Sequence, residues 1–257
     1  MKMPENAVLG CNLSKNLSFS QDEELYIATS DTKIKMKNDY APFVDKILTD
    51  ISYVPNKVLD LGCGPGYITR RINEVLPNCF ALGVDKSATM INHANKVLRR
   101  RLEGDCAFQS GVEINGTMHA KLKDKAAYLD YCDFRIKYII ADSVNLPFGN
   151  FSFDLIILKG TFKCLDDKLN SLKEIYRVLS YGGEVFIYEF RKDIPEDEFN
   201  LLTKDMKPQK VNLLKRKLNC SLDIPEYEKY LFEAGLAGCS EIKTDGLDLK
   251  IRISKNC

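Results

Sequence analysis

The chain has 257 residues, with 37 basic and 36 acidic side chains and a net charge of +1. That balance excludes a global field drawing it to nucleic acid or an anionic membrane, and no apolar run is long enough to span a bilayer. Nine cysteines are scattered without a C-x-x-C pair and only two histidines occur, His93 and His119, so no metal site is expected and reduced thiols in a cytoplasmic protein are. Met1 to Ser20 lacks the apolar core of a secretory signal.

Residues 1–50 hold no core strand and read as an N-terminal cap. A helical pattern begins at Asp39 and Tyr40, with Val44, Ile47, Leu48 and Ile51 on one side. Val58 to Leu61 then reads as a short buried strand carrying Asp60. The turn D-x-G-x-G-x-G follows, with Gly62, Cys63, Gly64, Pro65 and Gly66, and a helix bears Ile68, Ile72, Val75 and Leu76 on one face. A glycine turn lets a ligand approach bare backbone. The helix N-terminus offers N–H groups and a positive dipole end to an anion. Asp60 adds a negative charge suited to an ammonium, so the turn suits an amino-acid zwitterion better than a pyrophosphate. The dinucleotide spacing G-x-G-x-x-G is absent.

Pro77 stops the helix, and Phe80 to Asp85 reads as a second strand ending in an acid. An acid there can accept both hydroxyls of a ribose. Ser87 is placed to cap a helix carrying Met90, Ile91, Ala94, Val97 and Leu98. From Asp85 to Asp142 is 57 positions, about double a strand–helix–strand unit. The excess, about 100–134, reads as an inserted hairpin of Phe108 to Ile114 and Thr117 to Leu122 around Asn115-Gly116, then a short helix from Asp124 to Tyr131. Tyr138 to Ala141 is the third strand, with Asp142 and Ser143 behind it, and Phe153 to Leu158 is the fourth. Asp166-Asp167 precede a helix bearing Leu169, Leu172, Ile175, Tyr176 and Leu179, which Gly182-Gly183 is expected to end. Val185 to Glu189 is the fifth strand. The charged 191–222 region is a candidate lid. Pro225 to Leu236 reads as a helix, and Ser240 to Thr244 and Leu249 to Ser254 form a hairpin about Asp245-Gly246.

The glycine turn, A-D-S-x-x-L-P-F-x-x-x-S-F-D-L-I from Ala141, and L-K-E-I-Y-R-V-L-S-Y-G-G-E-V from Leu172 resemble the class I S-adenosylmethionine-dependent methyltransferases, in their small-molecule, ubiquinone-biosynthesis-like branch. The resemblance runs, with gaps, from about Val58 to Ile253. It implies an α/β fold: a seven-stranded, mostly parallel sheet with helices on both faces, the last strand antiparallel in a C-terminal hairpin, and the insert between strands two and three. The methyltransferase domain would be 51–257.

The resemblance implies S-adenosylmethionine as cofactor. Asp60, Gly62, Cys63, Gly64 and Gly66 would surround its amino-acid part, Asp85 and Lys86 its ribose, and Asp142 and Ser143 its adenine. Tyr40 and Lys159 would lie toward the methyl group, where an ammonium repels a sulfonium unless offset or deprotonated and could pair with an acidic substrate. The implied activity is in-line methyl transfer to a small organic acceptor, with no catalytic base evident. Two other readings stand: an RNA or protein methyltransferase using Arg99-Arg100-Arg101 and Lys215-Arg216-Lys217, or a cofactor-binding subunit without catalysis. Lys159-Gly160-Thr161-Phe162 lacks the Asn/Asp-Pro-Pro-aromatic signature of amino-methyltransferases, which argues against DNA. Cys63 and Cys164 are expected near the pocket but match no arsenic-methyltransferase cysteine set.

Overall fold

A computed structural model describes residues 23, 24, 26, 27, 36–109 and 135–256. Strands β1 (Lys57–Leu61), β2 (Phe80–Asp85), β3 (Ile136–Ile140), β4 (Phe153–Lys159), β5 (Leu179–Phe190), β6 (Ser240–Asp245) and β7 (Asp248–Ser254) form one sheet in the order β3-β2-β1-β4-β5-β7-β6. The first five are parallel. β7 runs antiparallel between β5 and β6. Strand order reverses between β1 and β4, which places the ligand crevice at their carboxyl ends.

The central strands are apolar throughout because both faces are covered. Successive side chains point to opposite sides. Leu59, Ile156, Leu158 and Ile187 meet Leu172 and Ile175 of α4 (Lys168–Val178) and Leu231 of α7 (Ile224–Glu233). On the other face Val58, Leu155, Ile157 and Phe186 meet Phe43, Val44 and Ile47 of α1 (Ala41–Asp50) and Ile68 and Ile72 of α2 (Tyr67–Val75). Ile91 and Ala94 of α3 (Ala88–Gln109) cover Ile136 and Tyr138 on the outer strand. Ser87 caps α3 by accepting the Met90 N–H at 3.1 Å. Asp223 and Glu226 form a capping box on α7. The 191–222 region contains α5 (Glu196–Thr203) and α6 (Pro208–Asn219).

Two expectations are corrected. The helix α3 runs on through Gln109, so Phe108 is helical and does not open a hairpin strand. The rest of that hairpin and the helix from Asp124 to Tyr131 lie outside the described residues. Gly182-Gly183 does not end α4. The helix stops at Val178, and Leu179 enters β5 in extended conformation. The Lys255 ammonium explains the early stop, donating to the carbonyls of Tyr176 (2.7 Å) and Leu179 (3.1 Å), as cations do at helix C-termini. The glycines serve a register shift where β5 joins β4.

A Cβ on Gly183 would stand 2.7 Å from the Asp154 carbonyl oxygen, a backbone atom that cannot swing aside. Gly183→Ala should therefore cost about 1–3 kcal/mol of stability in urea denaturation. A wild-type midpoint would show that the strand junction relaxes freely.

Candidate cofactor and acceptor site

The turn after β1 is bound tightly to the end of β2. The Gly62 and Cys63 N–H groups both donate to the Val84 carbonyl, at 2.7 and 3.0 Å. The Gly64 N–H donates to Asp85 Oδ2 at 2.9 Å, and the Ser87 N–H to Asp85 Oδ1 at 2.9 Å. Most of the turn's donors are thus spent on shaping it, and fewer are offered outward than its sequence suggests. Gly62 has φ +74°, and a Cβ there would collide with the Thr161 side chain. The missing side chain lets the β4 connection close against the turn. Tyr138 adds a hydroxyl donated to the Gly66 carbonyl at 3.0 Å.

Asp60 is buried, and its Oδ2 accepts the Thr69 N–H at 3.0 Å and the Thr69 hydroxyl at 2.6 Å. The N-cap of α2 is Gly66, which has no side-chain acceptor. The carboxyl of Asp60 takes over that duty from the strand. Burial pushes its pKa up to about 7, with the Thr69 bonds pulling it down. Its Oδ2 thus has a helix-capping geometry beside the role expected from sequence, meeting a ligand ammonium. Asp85 is also pushed up, by burial first, with the Ser87 and Gly64 N–H groups opposing.

A cleft of about 180 Å³ opens at the carboxyl ends of these strands. It brings together Gly62, Asp85, Lys86, Asp142 and Ser143 of the expected cofactor residues. Asp142 Oδ1 accepts the Val144 N–H at 3.2 Å. Ser143 is turned to α4, its hydroxyl 2.8 Å from that of Ser171. Lys86 reaches across the mouth to Asp166 at 2.8 Å.

Asp60, Cys63, Gly64, Gly66, Lys159 and Tyr40 do not line this cleft. Cys63 is buried against Tyr138 and α3, and burial raises its thiol pKa well above the ordinary value. Tyr40 packs with its ring 5.0 Å from that of Tyr67, and burial raises its phenol. Lys159 Nζ lies 3.7 Å from the centre of the Phe43 ring.

The opposite wall is formed by Gly160, Thr161, Cys164, Leu165 and Asp166; Cys164 was expected near the pocket, whereas Leu165 and Asp166 were not singled out as site residues. The sequence reading also missed the buried pair of Glu189 and Lys163, 3.3 Å apart. An acid closing the apolar run Val185 to Tyr188 was the available signal for Glu189. Among the described residues no group of side chains has the make-up of a metal site.

The Asp60 geometry gives a pH dependence. Its folded pKa of about 7 exceeds an unfolded value of about 4. The group's stabilising contribution is complete below pH 4 and is lost as pH rises through 7. Relative to Asp60→Asn, the wild type should gain stability as pH falls from 8 toward 5 in paired denaturation curves. A constant difference across that range would contradict the assignment.

The family model of the ubiE/COQ5 methyltransferase family matches residues 33–219. A ubiquinone/menaquinone biosynthesis C-methyltransferase UbiE of Geotalea daltonii is 28% identical over 141 residues, 54% of this chain and 48% of that protein. A demethylmenaquinone methyltransferase of Thermus thermophilus is 26% identical over 148 residues, 58% and 53%. The chain spans about half the length of the curated relatives it matches. Among solved structures, a putative S-adenosyl-L-methionine-dependent methyltransferase of Methanococcus maripaludis superposes with a TM-score of 0.64 at 20% identity, covering 96% of this chain and 98% of the other. The plantazolicin methyltransferase BpumL, solved with a monoazolic desmethylPZN analog and SAH, gives 0.59 at 14% identity, with 92% and 90% covered. These structural likenesses are likenesses of fold. With the family model spanning most of the chain, this protein belongs to the ubiE/COQ5 methyltransferase family, a family of S-adenosylmethionine-dependent enzymes.

Proposed function

We propose that the chain transfers a methyl group from S-adenosylmethionine to a small organic acceptor. One observation carries the reading: Asp85 and Asp142, at the ends of adjacent strands, face a single cleft beside the glycine turn. The residues fit the cofactor. Each Asp85 oxygen accepts one N–H and keeps a lone pair for a ribose hydroxyl. Asp142 Oδ2 has no protein partner among the described residues and can accept from the adenine amine. A Cβ on Gly64 would meet nothing within 4 Å, so a ligand can lie close over the backbone there. The cleft presents three carboxylates, Asp85, Asp142 and Asp166, against the Lys86 ammonium. That balance favours a cationic ligand and opposes a pyrophosphate.

When bound, the cofactor supplies a methyl group already activated on a sulfonium. The chain's own task is placement and exclusion of water. Asp85 and Asp142 hold the adenosine end. Thr161, against Gly62, sets the wall nearest the reacting side. We assign the acceptor's enclosure to α1, the Lys159 to Phe162 segment, and α5 and α6. The Geotalea daltonii relative is named as a C-methyltransferase of ubiquinone/menaquinone biosynthesis, which supports carbon as the methylated atom.

Calorimetric titration with S-adenosylhomocysteine tests the reading. Asp142→Asn should weaken binding about 10- to 100-fold, the loss of one charge-assisted hydrogen bond. Asp85→Asn should weaken it at least as much, because the glycine turn loosens too. NAD should not compete. Competition by NAD, or unchanged affinity in Asp142→Asn, would overturn the reading.

A further inference from the structure

The carboxyl ends of β4 and β5 carry the opposite charge to the cofactor cleft. Three ammonium groups rest on aromatic rings there. Lys159 Nζ is 3.7 Å from the Phe43 centroid, and Lys163 and Lys217 are 5.8 and 5.9 Å from that of Phe190. Lys163 has a carboxylate, Glu189, at 3.3 Å. The Lys159 ammonium makes no hydrogen bond or ion pair among the described residues. An aromatic face replaces only part of the hydration an ammonium loses.

We propose that Lys159 binds an anionic group, carboxylate or phosphate, on the methyl acceptor. The acceptor is then an organic anion with an apolar body that lies along Phe43. This inference rests on the methyltransferase reading and names the substrate class of that site. Lys159 immediately precedes Gly160 and Thr161, which line the cleft, so it stands where the two ligands meet. A sulfonium repels an ammonium at this position, whereas an anion on the second ligand is drawn to it. Packing against Phe43 desolvates the ammonium in part, yet the residue as a whole keeps solvent access, so a ligand can reach it.

The surroundings agree. Burial lowers the Lys159 amine to about 8, Asp248 of β7 and Asp39 before α1 pull it back up, and Lys217 of α6 and Lys46 of α1 push it down. Lys46 is itself paired with Asp245 at 3.6 Å. The Lys159 ammonium therefore carries a positive charge that no acid among the described residues meets at ion-pair distance. An arriving anion would complete the neutralisation and raise the amine pKa. By the same linkage, anion binding should weaken as pH rises above about 8.

The test follows the ε-methylene signal of Lys159 by NMR in lysine-labelled protein, assigned by its loss in Lys159→Arg. The pH midpoint is measured with S-adenosylhomocysteine alone and with added benzoate, phenyl phosphate or uncharged benzamide. Benzoate, phenyl phosphate or both should raise the midpoint by about one unit, and benzamide should leave it in place. The anion that acts identifies carboxylate or phosphate as the recognised group. A midpoint unmoved by both anions, or moved equally by benzamide, overturns the proposal. Calorimetry of S-adenosylhomocysteine on the same sample shows independently whether the cofactor reading stands, and the anion titrations can be repeated without it.

Discussion

Two N–H groups of the glycine turn, from Gly62 and Cys63, converge on the Val84 carbonyl, and a third, from Gly64, ends on Asp85. The rest of the site depends on this clamp between β1 and β2. It fixes the turn before any ligand arrives, so little ordering remains to be done on binding. It also orients the Asp85 carboxylate, because each oxygen is held by a different backbone donor. Without the clamp the turn after β1 would be free to leave the cleft wall, and Thr161 would lose the surface it packs on.

Electrostatics divide the carboxyl face of the sheet. Around β2 and β3 the exposed groups are mainly carboxylates, with Lys86 tied to Asp166 across the cleft. Around β4 and β5 lysines predominate, resting on Phe43 and Phe190. Charges of one sign within about 8 Å reinforce one another at physiological salt. Under the function proposed above, such a division would sort two ligands of different charge to the two sides of one reacting centre. The apolar sheet beneath it lowers the local dielectric and makes the sorting stronger than it would be in water.

Much of this architecture could be read from the chain. β2 matches its expected bounds, Phe80 to Asp85, because an apolar run with an acid at its end has no helical alternative. The Ser87 cap follows from short-range hydrogen bonding, which sequence spacing encodes directly; α7 was expected to start on Pro225, and the Asp223–Glu226 capping box that begins it one residue earlier was not read. Gly182-Gly183 misled because a glycine pair serves a helix end and a strand junction equally well. Only the nearness of the Asp154 carbonyl, almost thirty positions away, separates the two uses.

The sequence by itself determined the order of elements, the central strands buried on both faces, and the two acids Asp85 and Asp142 at successive strand ends. These rest on periodicity and local turn chemistry, which act over a few residues. The tertiary structure decided what each acid does. Asp60 and Asp85 look alike in the chain, each at a strand end before a helix. Asp60 is buried under α2 and satisfies Thr69, whereas Asp85 opens to the cleft. That difference comes from packing between elements distant in sequence. So does the meeting of Lys159 with Phe43, 116 positions apart along the chain. Spacing along a chain carries no signal for a contact that exists only once the sheet has formed.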